Sequence, residues 1–402
     1  LDKAGFMPEL SRSPWATMKA HAVCIDCKRK MLLGLGFVEQ KLTFSIGAST
    51  KQPGKLRVFL IPKILGTKLM PETLDGIASE GNKAFGAVSV YKNLEEVEKI
   101  MEDMMELDSM YGFSSTYFLN VLFGYGESSH FHFQHLIQDV PVMRLIELSR
   151  IMTRISNEVA SLFMEKGDNW SIGFEDIFSI FPLGVREGKV MNWKPLVELF
   201  ESLLRGTAYP KDNIISNAVL FASIHRHGTY KGYNIRQPPK KTEEVQLCGG
   251  LLKYNMLLKL LKEVGAIRLE QESRVGIFEI PDKDVEDFFS KMNYVEWQKA
   301  LFLLGVLVGK IGIEQYKKGD SKKAVLNKIN FEGMSAERVK LLANYVLEGL
   351  RNYRVLDGRN EAIYACMKAM LDRNLELLRN PIDNVFYILS GYAYATLQAI
   401  RR

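Results

Sequence analysis

The chain has 402 residues, of which 47% are hydrophobic and 25% are charged, as in an ordinary globular protein with room for two or three domains. Its longest apolar run, residues 300–308, is too short to cross a bilayer. Its four cysteines are too few and too scattered for a disulfide framework, so we expect a cytoplasmic protein. Positive charge is concentrated in residues 291–402, where 18 Lys and Arg face 11 Asp and Glu, whereas the first 290 residues hold 35 against 36.

This charge distribution and the hydrophobic patterns predict an α+β protein of three parts. Residues 1–70 are predicted to form a zinc-ribbon-like segment and a hairpin, and residues 71–290 a mixed α+β domain with a largely helical middle. Residues 291–402 are predicted to form a basic four-helix bundle. A basic excess confined to one part of a chain indicates a polyanionic partner at that part.

Cys24 and Cys27 form a C-x-x-C pair near the start of the chain. Two thiolates at this spacing can occupy one face of a tetrahedral zinc site, but a complete site needs two more ligands. The chain has no second C-x-x-C pair, and His21 is the one histidine nearby. The pair is therefore either part of a zinc site or two reduced cysteines at the start of an amphipathic helix. Strands are predicted at residues 37–44 and 56–61, with turn residues between them.

The middle of the chain alternates between helical and strand patterns. An acidic helix is predicted over residues 94–108, two strands over 113–133, helices over 142–224 and 251–264, and a hairpin over 266–280.

Three histidines lie at the end of the second predicted strand in an H-x-H-x-x-H pattern: His130, His132 and His135. On a strand the first two share a face, which permits a metal-dependent nuclease site. The alternative is a half-exposed strand that carries ordinary surface histidines. The chain lacks a P-loop, a G-x-S-x-G elbow and an H-E-x-x-H helix, which favours a binding protein over an enzyme.

The C-terminal part has four amphipathic stripes, and the first of them contains Gly305, Gly309 and Gly312. Each glycine weakens a helix by about 1 kcal/mol relative to alanine, so we expect close approach of a neighbouring helix as compensation. Ser335 is a predicted N-cap, and Asn380 with the proline after it predicts the start of the last helix.

Two basic segments are candidates for nucleic-acid binding, because cations pair with phosphates and tyrosines stack on bases. The alternative for each is a solvated, charged surface. The first segment covers residues 225–242 and the second covers the connection after the first C-terminal helix. Their candidate residues are Arg226, Lys231, Tyr233, Arg236, Lys240 and Lys241 in the first, and Lys317, Lys318, Lys322, Lys323 and Lys328 in the second.

Several segments resemble the large subunit of type I-B CRISPR Cascade complexes. They are FLLGVLVG at residues 302–309, LNKINFEGM at 326–334 and FYILSGY at 386–392, with looser likeness in VCIDC at 23–27 and FLIP at 59–62. The likeness is scattered over nearly the whole chain and is most specific at its C-terminal end. The family subunit is longer, so the resemblance implies that an N-terminal portion and a second cysteine pair are missing here.

The resemblance implies a non-catalytic role in an antiviral surveillance complex. Such subunits contribute to recognition of the protospacer-adjacent motif, duplex opening and binding of the crRNA, target and displaced strands. The implied partners are crRNA, target duplex DNA, the other Cascade backbone subunits and a helicase-nuclease that the complex recruits. The C-terminal bundle resembles the small subunit, which some systems also make from an internal start, and Met292 is the candidate start here. The alternatives are a free-standing RNA- or single-strand-binding protein and, third, the histidine-based nuclease.

Overall fold

The structure is a computed structural model, and its description covers seven stretches of the chain. These are residues 24–47, 54–64, 71–111, 117–126, 132–268, 279–318 and 324–401.

The described residues form thirteen α-helices, one four-stranded sheet and one small hairpin, which confirms the α+β class. The helices are α1 Ile25–Lys41, α2 Pro71–Ser89, α3 Leu94–Tyr111, α4 Val142–Leu162, α5 Phe174–Ile180, α6 Lys194–Arg205, α7 Lys211–His227, α8 Glu243–Glu263, α9 Lys283–Met292, α10 Glu296–Lys317, α11 Ala336–Asn352, α12 Gly358–Arg373 and α13 Pro381–Arg401. The strands are β1 Thr43–Ile46, β2 Leu56–Ile64, β3 Tyr117–Tyr125, β4 His132–Pro141, β5 Val185–Arg186 and β6 Lys189–Val190.

The large sheet is antiparallel throughout, with strand order β1-β2-β3-β4. Alternate residues of β2 face the core, and Val58 lies opposite Phe123 of β3 with both side chains fully buried. Helices cover this face. The ring of Phe85 in α2 lies 5.0 Å from Phe44 of β1, and Phe200 of α6 stacks 6.0 Å from Phe123.

The predicted N-terminal hairpin is only partly right. β1 and β2 pair as expected, but the chain from Phe37 to Lys41 is helical and belongs to α1. Its two apolar residues, Phe37 and Val38, are adjacent in the sequence, so their spacing does not distinguish a strand from a helix. Thr43 ends the helix by donating its hydroxyl to the Val38 carbonyl at 3.0 Å. None of the 17 residues of α1 is buried.

The predicted acidic helix is confirmed as α3, and its start is a reciprocal capping box. The Glu96 N–H donates to Asn93 Oδ1, and the Asn93 N–H donates to Glu96 Oε2, both at 2.9 Å. The latter bond lowers the pKa of Glu96. The helical stripe of α4 is also confirmed, since Leu145, Leu148 and Ile155 are fully buried.

The hairpin of β5 and β6 interrupts a stretch that the hydrophobic pattern predicts to be helical. Each strand has two residues, too few for a period-2 pattern to register. Glu187 and Gly188, between the strands, both have positive φ, 52° and 74°, as a two-residue type I′ turn requires. The predicted hairpin over residues 266–280 lies largely outside the described residues.

The four predicted C-terminal helices are confirmed as α10 to α13, and so are both predicted N-caps. Ser335 Oγ accepts the Arg338 N–H at 3.5 Å, and Asn380 Oδ1 accepts the Ile382 N–H at 3.0 Å. Among the described residues, we find no helix with the length and hydropathy that crossing a membrane would require.

The glycines of α10 explain how this bundle closes. A Cβ placed on Gly305 would lie 1.9 Å from the carbonyl oxygen of Ile388 in α13, and one on Gly391 would lie 1.9 Å from that of Phe302. The two helices therefore touch backbone to backbone, as the glycine content of α10 predicts. Gly309 repeats the contact against Ala395, where the added Cβ would lie 2.8 Å from the alanine Cβ.

The C-terminal helices also pack on the middle of the chain. Asn255 of α8 donates to Ser390 Oγ of α13 at 2.9 Å and accepts a hydrogen bond from the Tyr294 hydroxyl, all three being buried. A buried polar network that is satisfied in this way fixes the relative position of the helices. The predicted domain boundary near residue 291 stays a prediction.

Candidate nucleic-acid interface

The two predicted basic segments contribute to one open groove, although they lie far apart in the sequence. The groove has a volume of about 710 Å³ and lies between the end of α7, the start of α8 and the C-terminal ends of α10 and α13. We call it the basic groove. Its candidate residues are Arg226, Lys240, Lys241, Tyr316 and Lys317.

Local backbone geometry places the cations of the first segment. Arg226 lies in the last turn of α7, which Gly228 ends in the left-handed conformation at φ 69°. Arg226 also donates to Asn327 Oδ1 at 2.5 Å, which ties it to the second segment. Lys240 and Lys241 lie in a single 3₁₀ turn, Lys240–Thr242, in which the Thr242 N–H donates to the Pro239 carbonyl at 2.9 Å. Both lysines are exposed.

The opposite wall of the basic groove is the last turn of α10. Tyr316 is 66% exposed there. Lys317 forms a surface ion pair with Glu314, in which Nζ lies 2.6 Å from Oε1. An exposed aromatic ring beside cations is the combination that holds a single strand, because bases stack on the ring and phosphates pair with the cations. Sequence analysis missed Tyr316. The usable signal was a tyrosine at the end of an apolar helix, directly before two lysines.

Two carboxylates also line the basic groove, and both accept hydrogen bonds from tyrosines. The Tyr230 hydroxyl donates to Glu243 Oε1 at 3.4 Å, and the Tyr392 hydroxyl donates to Glu244. Both carboxylates lie in the first turn of α8, where the positive helix end stabilises negative charge. Four cations against two carboxylates leave the described lining of the groove positive.

His225 contributes to the groove from below, as a buried neutral group. Its side chain is 4% exposed, and its Nδ1 lies 3.1 Å from the Tyr230 hydroxyl. Burial lowers the pKa of His225 to about 4 and raises the pKa of Tyr230 to about 12. Both side chains are therefore neutral at physiological pH.

The remaining predicted residues lie elsewhere. Tyr233 is half-buried and pairs through its backbone with Gly184, so it has a structural position. Arg236 borders a separate cavity of about 360 Å³. Two lysines lie over aromatic rings, Lys318 at 5.0 Å from Tyr353 and Lys328 at 4.8 Å from Tyr345. Lys231 is exposed on its own 3₁₀ turn, and Lys322 and Lys323 lie outside the described residues.

Comparison with family models identifies the chain. Residues 1–140 match the central domain of the CRISPR-associated protein TM1802, and residues 172–402 match the C-terminal domain of the same protein family. The chain belongs to the CRISPR-associated TM1802 family. A search of curated proteins returned no match.

The basic groove lies entirely within the part that matches the TM1802 C-terminal domain. The family match therefore supports the expectation of a CRISPR-associated protein. The finer resemblance, to the large subunit of a type I-B complex, goes beyond what the two domain matches state.

The cysteine pair lies in the part that matches the TM1802 central domain. Both thiols are exposed at the start of α1, and the Cys27 N–H donates to Cys24 Sγ at 3.3 Å, which lowers the pKa of Cys24. The described residues thus offer two of the four ligands that a structural zinc needs, and His21 lies outside them. Zinc binding stays a prediction.

The histidines of the same family domain have separate contacts. His135 Nε2 lies 2.8 Å from Glu201 Oε2 of α6, whereas the His132 ring stacks on Tyr125 at 4.8 Å. His130 lies outside the described residues. Within the described stretches, no three His, Cys, Asp or Glu side chains converge on a point where a metal ion would fit.

Proposed function

We propose that this chain is the large subunit of a crRNA-guided surveillance complex of the type I-B Cascade kind, and that its role is binding without catalysis. The family match supports the CRISPR part of the proposal. The segments that resemble the type I-B large subunit support the finer part. The single observation that carries the nucleic-acid role is the convergence of two distant basic segments, with an exposed tyrosine, on one groove.

The chemistry of the basic groove suits a strand that is held without being read. In a guided complex, base pairing with the crRNA selects the sequence, so the protein needs phosphate contacts and stacking surfaces of low sequence preference. Lys240, Lys241 and Lys317 supply the former, and Tyr316 supplies the latter. We therefore assign the groove to a target or displaced strand after the duplex opens.

The proposal also includes the partners that the resemblance implies. The chain would join the crRNA-bound backbone subunits, inspect the protospacer-adjacent motif of duplex DNA and help to open it. A separate helicase-nuclease would then cleave the DNA. None of these steps requires a reactive group on this chain.

The first experiment is co-purification with the crRNA-bound backbone of a type I-B complex, followed by binding to target duplexes with and without the adjacent motif. We expect motif-dependent binding only when this chain is present. Failure to join the complex, together with tight binding of single strands by the chain alone, would favour a free-standing binding protein. Metal-stimulated cleavage that His132→Ala abolishes would contradict the non-catalytic role.

A second experiment tests the basic groove within the assembled complex. The double variant Lys240→Glu with Lys317→Glu should weaken R-loop formation about tenfold or more on every target, because phosphate contacts carry no sequence information. Its salt dependence should become shallower, by roughly 1 to 2 in the log–log slope. Tyr316→Ala should also weaken R-loop formation, and Tyr316→Phe should not, since the ring is retained.

The matched control is Lys99→Glu with Lys340→Glu, which makes the same change of charge at two exposed lysines outside the groove lining. An unchanged salt slope in the groove variant, or an equal loss in the control, would contradict the assignment of this groove.

A further inference from the structure

A second cationic cleft lies at one end of the large sheet, remote from the basic groove in sequence and sharing none of its lining residues. It has a volume of about 600 Å³ and lies between the ends of β1 to β4 and the β5–β6 hairpin. We call it the sheet-end cleft. Its cationic and aromatic lining residues are Lys55, Arg57, Tyr125, His132, Lys189 and Trp193.

The charge of the sheet-end cleft differs from that of the basic groove. Lys55, Arg57 and Lys189 bring three positive charges to it, and no Asp or Glu is among its described lining residues. The guanidinium of Arg57 lies 4.9 Å over the ring of Phe59, a cation–π contact that favours this orientation of the side chain. Such a site attracts an anion and offers it no competing carboxylate.

The backbone brings these cations together by two close fits. Gly54, at φ 90°, packs against the β5–β6 hairpin, where a Cβ would lie 2.7 Å from Val190 Cγ2 and 3.1 Å from the Trp193 ring. The chain then enters β2 with Lys55 and Arg57 at its start. The type I′ turn of the hairpin projects Lys189 from the other side.

Three aromatic rings of the sheet-end cleft lining, those of His132, Tyr125 and Trp193, form a ladder that continues to Phe178 outside the lining. His132 stacks on Tyr125 at 4.8 Å and 19°, Tyr125 lies 6.5 Å from Trp193, and Trp193 stacks on Phe178 at 5.9 Å and 17°. Phe178 and Trp193 are buried and Tyr125 is half-buried, whereas His132 at the outer end is exposed. A planar base placed on the outer face of His132 would extend this ladder by one ring.

We infer that the sheet-end cleft binds a nucleoside-phosphate unit, with the base stacked on His132 and the phosphate held by Lys55, Arg57 and Lys189. The cations, which have no carboxylate beside them in the described lining, suit the phosphate. The exposed ring of His132 at the end of the ladder suits the base. The unit could come from a free nucleotide or from one nucleotide of a strand. The inference does not depend on the proposed function, because either source satisfies the same chemistry.

The test is calorimetric titration of the full chain with two probes, AMP and 5′-phosphorylated tetrathymidylate. The double variant Lys55→Glu with Lys189→Glu should weaken binding about tenfold or more. His132→Ala should weaken it about fivefold or more through lost stacking, and His132→Phe should keep most of the affinity. Lys99→Glu with Lys340→Glu is the control for charge, and an unchanged melting temperature confirms that each variant is folded.

The probes separate the two sources of the ligand. Binding of AMP as tightly as the tetranucleotide supports a free nucleotide, and binding of the tetranucleotide alone supports a strand. Absence of binding by both probes, or equal affinities in wild type and the cleft variants, would overturn the inference. If only Lys240→Glu with Lys317→Glu weakened binding of the probes, the inference would be overturned and the proposed function would stand. If only the cleft variants weakened binding, the inference would be supported independently of the proposed function.

Discussion

Two helices that contain an apolar, glycine-containing run, α1 and α10, pack in opposite ways. In α1, Leu32, Leu33 and Leu35 are exposed, and a Cβ on Gly34 would meet none of the described atoms within 4 Å. In α10, a similar run around Gly305 is fully buried, and a Cβ there would strike the backbone of α13. The apolar runs around Gly34 and Gly305 are alike in composition, so it is the backbone contact with α13 that makes Gly305 structurally required.

The largest expected effect is at the buried glycine. Gly305→Ala should lower the free energy of unfolding by about 3 kcal/mol or more, because the new methyl group can be accommodated only by separating two helix backbones. Urea unfolding measures the change. Gly34→Ala is the matched control and should cause no loss, since alanine favours a helix by about 1 kcal/mol and its methyl group would contact none of the described residues. Equal behaviour of the two variants would remove the contrast between the helices.

The second largest expected effect is that of acid on the free energy of unfolding, through protonation of His225. Its pKa of about 4 in the folded chain lies below the ordinary 6.5, so the unfolded chain binds this proton more tightly. The stabilising contribution is therefore complete above pH 6.5 and is lost as the pH falls from 6.5 toward 4. Between about pH 7 and pH 5 the loss should be about 2 kcal/mol.

Urea unfolding at the two pH values, for the wild type and His225→Gln, measures this contribution. The glutamine cannot take up the proton, so the drop in stability between the two pH values should be about 2 kcal/mol smaller in the variant. If the variant keeps the wild-type drop, His225 is not its source.

The smallest expected effect is at the exposed helix. Leu32→Ser with Leu35→Ser should change the free energy of unfolding by less than about 0.5 kcal/mol per site, because these side chains are 59% and 54% exposed. The same urea measurement applies. A loss near that of Gly305→Ala would mean that α1 buries its apolar residues after all.

The sequence predicted those elements in which a periodic hydrophobic pattern continues over several turns. The four C-terminal helices, the caps at Ser335 and Asn380 and the close approach at Gly305 all follow from spacing and from turn chemistry. The end of α1 and the β5–β6 hairpin could not be predicted, because two adjacent apolar residues at positions 37 and 38 and strands of two residues have no distinguishable period.

The site was predictable only in part, and for a different reason. Charge counting identified the cations of two segments, but it could not show that Lys240 and Lys317 share a groove while Lys328 lies apart over Tyr345. That difference depends on how α7, α8 and α10 pack. The sequence pointed to His132 of the sheet-end cleft but not to its three cations, since two of them lie at the start of β2 and one on β6, and no local charge run marks them.

The backbone contact between α10 and α13 has a consequence for the basic groove that charge does not reveal. The groove walls at Lys317 and Ile400 lie 12 and 9 residues beyond Gly305 and Gly391, about 18 and 14 Å along their helices. Both helices run from this contact to the groove, so the distance between their backbones at Gly305 and Gly391 affects the distance between the groove walls. A single methyl group at Gly305 or Gly391 would therefore widen the basic groove, although neither glycine lines the groove.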